Sequence, residues 1–103
     1  MKDNKHIKEL MQKLLDFCKE IRRIYLISIK INTNEELTSF KLGLIVDNSI
    51  KSTSELAASL YFNIDCELPF DFVIYRQEEF DELKDEVGTF AFKINNSGTV
   101  LYG

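Results

Sequence analysis

The stretch Arg23 to Val46, RIYLISIKINTNEELTSFKLGLIV, carries two runs of alternating residues separated by a turn signal. In the first run Ile27, Ile29 and Ile31 are separated by Ser28 and Lys30, the period-2 pattern of a half-buried strand. Asn32, Thr33 and Asn34 interrupt it, because their short polar side chains compete for nearby backbone groups and favour turns. A second run places Phe40, Leu42, Leu44 and Val46 on one face and Ser39, Lys41, Gly43 and Ile45 on the other. Two such runs joined by a polar turn form an antiparallel pair, and the rest of the chain must supply what covers its apolar side.

The first covering element is a helix. Apolar residues recur at Ile7, Leu10, Met11, Leu14, Leu15, Cys18 and Ile21, a stripe at spacings of three and four that predicts a helix from an Asp3 N-cap to near Arg22. Beyond the two strands, Ser52 and Glu55 have the spacing of a capping box, opening a short helix through Leu56, Ala57, Leu60 and Tyr61. CELPFDFVIY, Cys66 to Tyr75, reads as a third strand with its proline tolerated at the start; Phe70, Phe72 and Ile74 face one way, Asp71, Val73 and Tyr75 the other. QEEFDELKDEV, Gln77 to Val87, reads as a helix with acids in its first turn, stopped by Gly88. TFAFKI, Thr89 to Ile94, alternates like a strand, and Thr99 to Tyr102 is a short extended piece.

With 103 residues the chain is expected to form one domain over 1–103, large enough for a core without disulfides. Cys18 and Cys66 then read as free thiols of a cytoplasmic protein, and no apolar run has the length of a membrane span. The net charge of −4 is split, with +4 over residues 1–31 and −8 over 32–103. That acidic excess argues against general nucleic-acid binding, which needs clustered cations to neutralise phosphates. Lys19, Arg22 and Arg23 form a small basic group best read as cations near the carbonyl end of the first helix. His6 is the only histidine and has no clustered ligands beside it; the acids of residues 78–86 read as a solvated helix face.

The element order, with PFDFVIY and SGTVLYG behind the strand pair, resembles the minimal nucleotidyltransferases of the DNA polymerase β-like superfamily. In that family a Gly-Ser pair ends the first strand, an Asp-x-Asp pair lies on the second and a third carboxylate on a later strand. In TSFKLGLIVD the two aspartate positions are Ser39 and Lys41, the Gly-Ser positions are Ser28 and Ile29, and the third carboxylate position is Asp71. A one-residue slip would bury Lys41 and expose Phe40, so the apolar pattern selects this register. The resemblance implies an α+β fold, with a nucleotidyltransferase-like mixed sheet of at least three strands and helices packed on one face. It also favours a helix at Thr89 to Ile94.

The family's chemistry depends on divalent ions held by converging carboxylates. Ser39 is a neutral, weak ligand and Lys41 puts a cation where a metal ion should sit, so the motif implies no catalytic residues, no metal ligands and no cofactor. The five positions Ser28, Ile29, Ser39, Lys41 and Asp71 are read as a vestigial active site. Lys41 and Asp71 are expected to pair there, and Ile29, Ile45, Val73 and Tyr75 to form an apolar contact patch on the face away from the helices. The function expected is that of a catalytically degenerate binding or regulatory module, antitoxin-like, with a helical protein partner or as a homo-oligomer. Two other readings stay open: an active enzyme using magnesium and a nucleotide triphosphate through unusual ligands such as Glu35, Glu36 or Asp47, and an unrelated small α+β domain.

Overall fold

The computed structural model describes residues 3–103. Helix α1 spans Lys5–Phe17, and its N-cap is Asn4 rather than Asp3: the Asn4 Oδ1 accepts from the His6 N–H at 2.9 Å. The helix ends well before Arg22, with the Cys18 N–H donating to the Leu14 carbonyl and strand β1 (Ile21–Ile31) beginning three residues later. Cys18 and Ile21 continue the apolar stripe in sequence, and both are buried, but as a cap and a strand start. Periodicity records burial, and both conformations bury these two residues.

β1 and β2 (Leu37–Val46) form the expected antiparallel hairpin. Asn32 closes it: its Oδ1 accepts from the N–H groups of Asn34 and Glu36 at 2.9 and 3.0 Å, the local competition that ends a strand. Helix α2 (Thr53–Asn63) starts at Ser52, whose Oγ accepts from the Glu55 N–H at 3.2 Å. It is the crossover that lets β3 (Phe70–Arg76) lie parallel to β2. α3 (Gln77–Leu83), α4 (Phe90–Ser97) and β4 (Thr99–Tyr102) complete the chain, with β4 antiparallel to β1. The sheet order is β3-β2-β1-β4, a mixed four-stranded sheet in an α+β fold.

α1 and α2 cover one face, as expected. Ile7, Leu10 and Leu14 of α1 and Leu60 of α2 meet Ile24, Leu26, Phe40, Leu42, Leu44 and Phe72 of the sheet, while Phe70 and Ile74 pack at the margin of the same cluster. The register on β2 and β3 is therefore the one that keeps Phe40 inside. The opposite face is also covered. Phe80 of α3 and Ala91 and Ile94 of α4 enclose Tyr25 and Ile45, and Ile45 is fully buried. The apolar patch expected from Ile29, Ile45, Val73 and Tyr75 is thus not an open surface: the chain's own helices take Ile45 and Tyr75.

A bulge explains the rest of that correction. Leu26 opposes Leu42 and Ser28 opposes Lys41, so Ile27 is the extra residue on β1. Ile27 packs with the α3/α4 cluster, whereas Ile29 pairs with Phe40, a residue of the α1/α2 face. Ile27 and Ile29 therefore do not share a face. Gly43 leaves room for the fully buried Ile94, whose Cδ1 would lie 2.9 Å from a Cβ placed there.

At 89–94 the helix prevails over the strand-like alternation. The Thr89 Oγ1 accepts from the Phe92 N–H at 3.0 Å and caps α4, and Gly88, at φ 94°, makes the turn before it. Turns over residues 84–88 shorten α3 relative to the helix expected as far as Val87.

Candidate functional site

The residues singled out in the sequence come together. Ser28 and Ile29 at the far end of β1, Ser39 and Lys41 on β2 and Asp71 at the start of β3 all line one cleft of about 340 Å³, together with Lys30, Phe40, Pro69 and Phe70. The register of the sheet does this. Ser28 is opposite Lys41 and Lys30 opposite Ser39 across the hairpin, while Lys41 is opposite Asp71 across the parallel pair.

The Lys41 Nζ lies 3.7 Å from the Asp71 Oδ2 and 4.6 Å from the centre of the Phe90 ring at the start of α4. Lys41 is half-buried, but the Asp71 side chain is 62% exposed, so the flanking Phe70 and Phe72 leave its carboxylate mostly in solvent. In that setting the ion pair contributes about 0–1 kcal/mol.

The stronger partner of Asp71 is Tyr61, on α2. Its hydroxyl donates to the Asp71 Oδ1 and accepts from the Phe72 N–H at 3.1 Å; the same N–H also reaches the Asp71 Oδ1 at 2.9 Å. The Tyr61 hydrogen bond, ahead of the Phe72 N–H and Lys41, holds the Asp71 carboxyl below its ordinary value. Burial first, and then the bond to Asp71, pushes the Tyr61 hydroxyl up to about 12. The ring is placed by aromatic packing: it stacks on Phe70 at 5.8 Å and lies tilted against Phe72 at 4.6 Å.

Sequence reasoning places Tyr61 on the apolar side of α2 and misses this contact. The sequence carries no signal for it: Tyr61 is exposed, water could serve its hydroxyl, and only the packing of α2 on β3 brings it to Asp71. Phe90 is likewise assigned to its element without its contact to Lys41.

The donors do not suit a divalent ion. Of Ser39, Lys41 and Asp71 only Asp71 is a carboxylate, and it already holds a hydroxyl and an ammonium group. Glu35 and Glu36 lie in the hairpin loop and do not line the cleft. Asp47 is at the other end of β2, about 20 Å along the strand from Lys41, where it pairs with Arg22 and accepts from the Ser49 N–H. Among the described residues no group of three or more His, Cys, Asp or Glu side chains is placed to hold a metal ion.

The other singled-out residues have local roles. Of the basic group, Lys19 donates to the Leu15 carbonyl at the end of α1, as expected, but Arg22 pairs with Asp47 and Arg23 donates to the Tyr25 hydroxyl at 3.2 Å. His6 lies 3.7 Å from the Glu67 carboxylate. Cys18 and Cys66 are free, and burial raises the Cys18 thiol. No helix among the described residues is long and apolar enough to cross a membrane. Comparison with protein-family models, with curated proteins and with solved structures finds no match.

Proposed function

We propose that this chain is a catalytically degenerate nucleotidyltransferase-like domain, cytoplasmic, that works as a binding or regulatory module for a protein partner in the manner of an antitoxin. The observation that carries the reading is the convergence of Ser28, Ile29, Ser39, Lys41 and Asp71 on one cleft. Four of them lie on one hairpin, and Asp71, thirty residues beyond Lys41, joins them across the parallel β2–β3 pair. The Lys41 ammonium group 3.7 Å from Asp71 takes the role of a tethered cation, so the retained carboxylate is neutralised without an ion.

A side chain cannot replace two divalent ions in nucleotidyl transfer, because it offers no exchangeable coordination positions to a triphosphate. Purified protein is expected to show neither heat of binding with a nucleotide triphosphate and magnesium in calorimetry nor transfer of a labelled nucleotidyl group. Magnesium-dependent transfer that disappears in folded Asp71→Ala protein would overturn the reading.

A further inference from the structure

The sheet's exposed edges are treated differently. At the outer edge of β3 the Phe72 N–H is taken by Tyr61 and Asp71, and Pro69 stands at the strand's entrance. β4 is kept to four residues. On the β4 side of β1, pairing covers only Ile24 to Leu26. From Ile27 to Ile31 that side of β1 has no backbone partner among the described residues, and Ser28, Ile29, Lys30 and Ile31 are all exposed. Ile29 and Ile31 show 39% and 51% of their surfaces. An open edge of β-branched residues is a template for another strand.

The hydrogen-bonding phase of this edge can be read. The Lys30 carbonyl accepts from the Thr38 Oγ1 on β2, so Lys30 turns inward and the alternate residues Ile29 and Ile31 turn their N–H and C=O outward. We propose that this edge pairs antiparallel with the same edge of a second copy of the chain, about a two-fold axis at Ile29. In that register the two Ile29 residues exchange both backbone hydrogen bonds. Lys30 of each copy then faces Ser28 of the other.

Neighbouring registers fail on charge or conformation. Centring on Lys30 sets two ammonium groups directly opposite each other, which is destabilising. Centring on Ile31 needs Asn32 and Thr33 as strand residues, but Asn32 is committed to the turn through its bonds to Asn34 and Glu36. The Ile29 register uses what each copy already has, and this self-complementarity selects a second copy over an unrelated extended peptide. Few residues take part, so association is weak and concentration-dependent. The proposal does not depend on the reading of the cleft.

The test is sedimentation velocity of the full chain over a range of concentrations. The weight-average mass should rise toward twice that of the monomer. Ser28→Lys puts a second ammonium group opposite Lys30 and should weaken association about tenfold, while Ser28→Lys combined with Lys30→Glu places opposite charges face to face and should restore it. Circular dichroism establishes that each variant is folded. Should Ser28→Lys unfold, Ile29→Cys serves instead. Two residues in a hydrogen-bonded antiparallel pair have Cα atoms about 5.5 Å apart, within disulfide reach, so oxidation should give a dimer whose mapped bridge joins position 29 to position 29. A strict monomer at every concentration, a dimer indifferent to Ser28→Lys without rescue by the double variant, or a bridge that avoids position 29 would each overturn the proposal.

Discussion

At the scale of single residues, the cleft is held by hydrogen bonds more than by charge. Asp71 has three partners, and the one that most lowers its proton affinity is a neutral hydroxyl on a helix of the other layer. In Tyr61→Phe the Asp71 carboxyl should rise toward its ordinary range by more than it does in Lys41→Met, as followed by carboxyl-carbon NMR titration. The same substitution should lower stability in urea by about 0.5–1.5 kcal/mol, the net worth of a typical hydrogen bond. The larger shift appearing in Lys41→Met would reverse the assignment.

The sign of the pH dependence follows from the carboxyls. Asp71 and Asp47 both bind protons less readily in the folded chain than unfolded, so their stabilisation is present above the unfolded value and is lost as pH falls through the folded one. For Asp47 the ordinary value is 3.8 and the folded one about 2, set first by the Ser49 hydrogen bonds and then by Arg22. Acid unfolding of the native chain should therefore steepen between these two values. In Asp47→Asn that part of the slope should flatten.

At the scale of elements, α4 shows how a cap and a packing site together overrule a local pattern. Phe90, Phe92 and Ile94 alternate, but Thr89 offers a hydroxyl to the Phe92 N–H, and Gly43 leaves a hollow in the sheet for Ile94. The cap was available to sequence reasoning; the hollow was not, because it lies on another strand. Thr89→Ala should cost about 0.5–2 kcal/mol in chemical denaturation, with amide exchange in 90–97 accelerated more than in α1. Loss spread evenly over the chain would argue that Thr89 does not hold α4 locally. The bulge at Ile27 is the opposite case. An alternating run carries no mark of the extra residue, which is visible only against β2, yet it decides that Ile27 is covered while Ile29 is left at an open edge.

For the whole molecule, the main consequence is that the sheet is an inner layer. If α3 and α4 make the second face a true core, Ile45→Ala should cost about 2–5 kcal/mol in urea unfolding, as for any fully buried aliphatic truncation. A loss under about 1 kcal/mol would mean a surface residue. The order of residues was enough to establish the elements with strong periodicity, the hairpin, and the register of Phe40, Leu42 and Leu44 against Lys41, since each follows from burying one set of side chains within a few residues of chain. Ser28, Ile29, Ser39, Lys41 and Asp71 were singled out by the resemblance alone, not by the residue pattern. Folding in three dimensions was needed to lay β3 parallel to β2, to bring Tyr61 to Asp71 from another layer, and to cover Ile45 from behind. Those outcomes depend on pairings between distant segments, where alternation reads the same whether the outer face meets water or a helix.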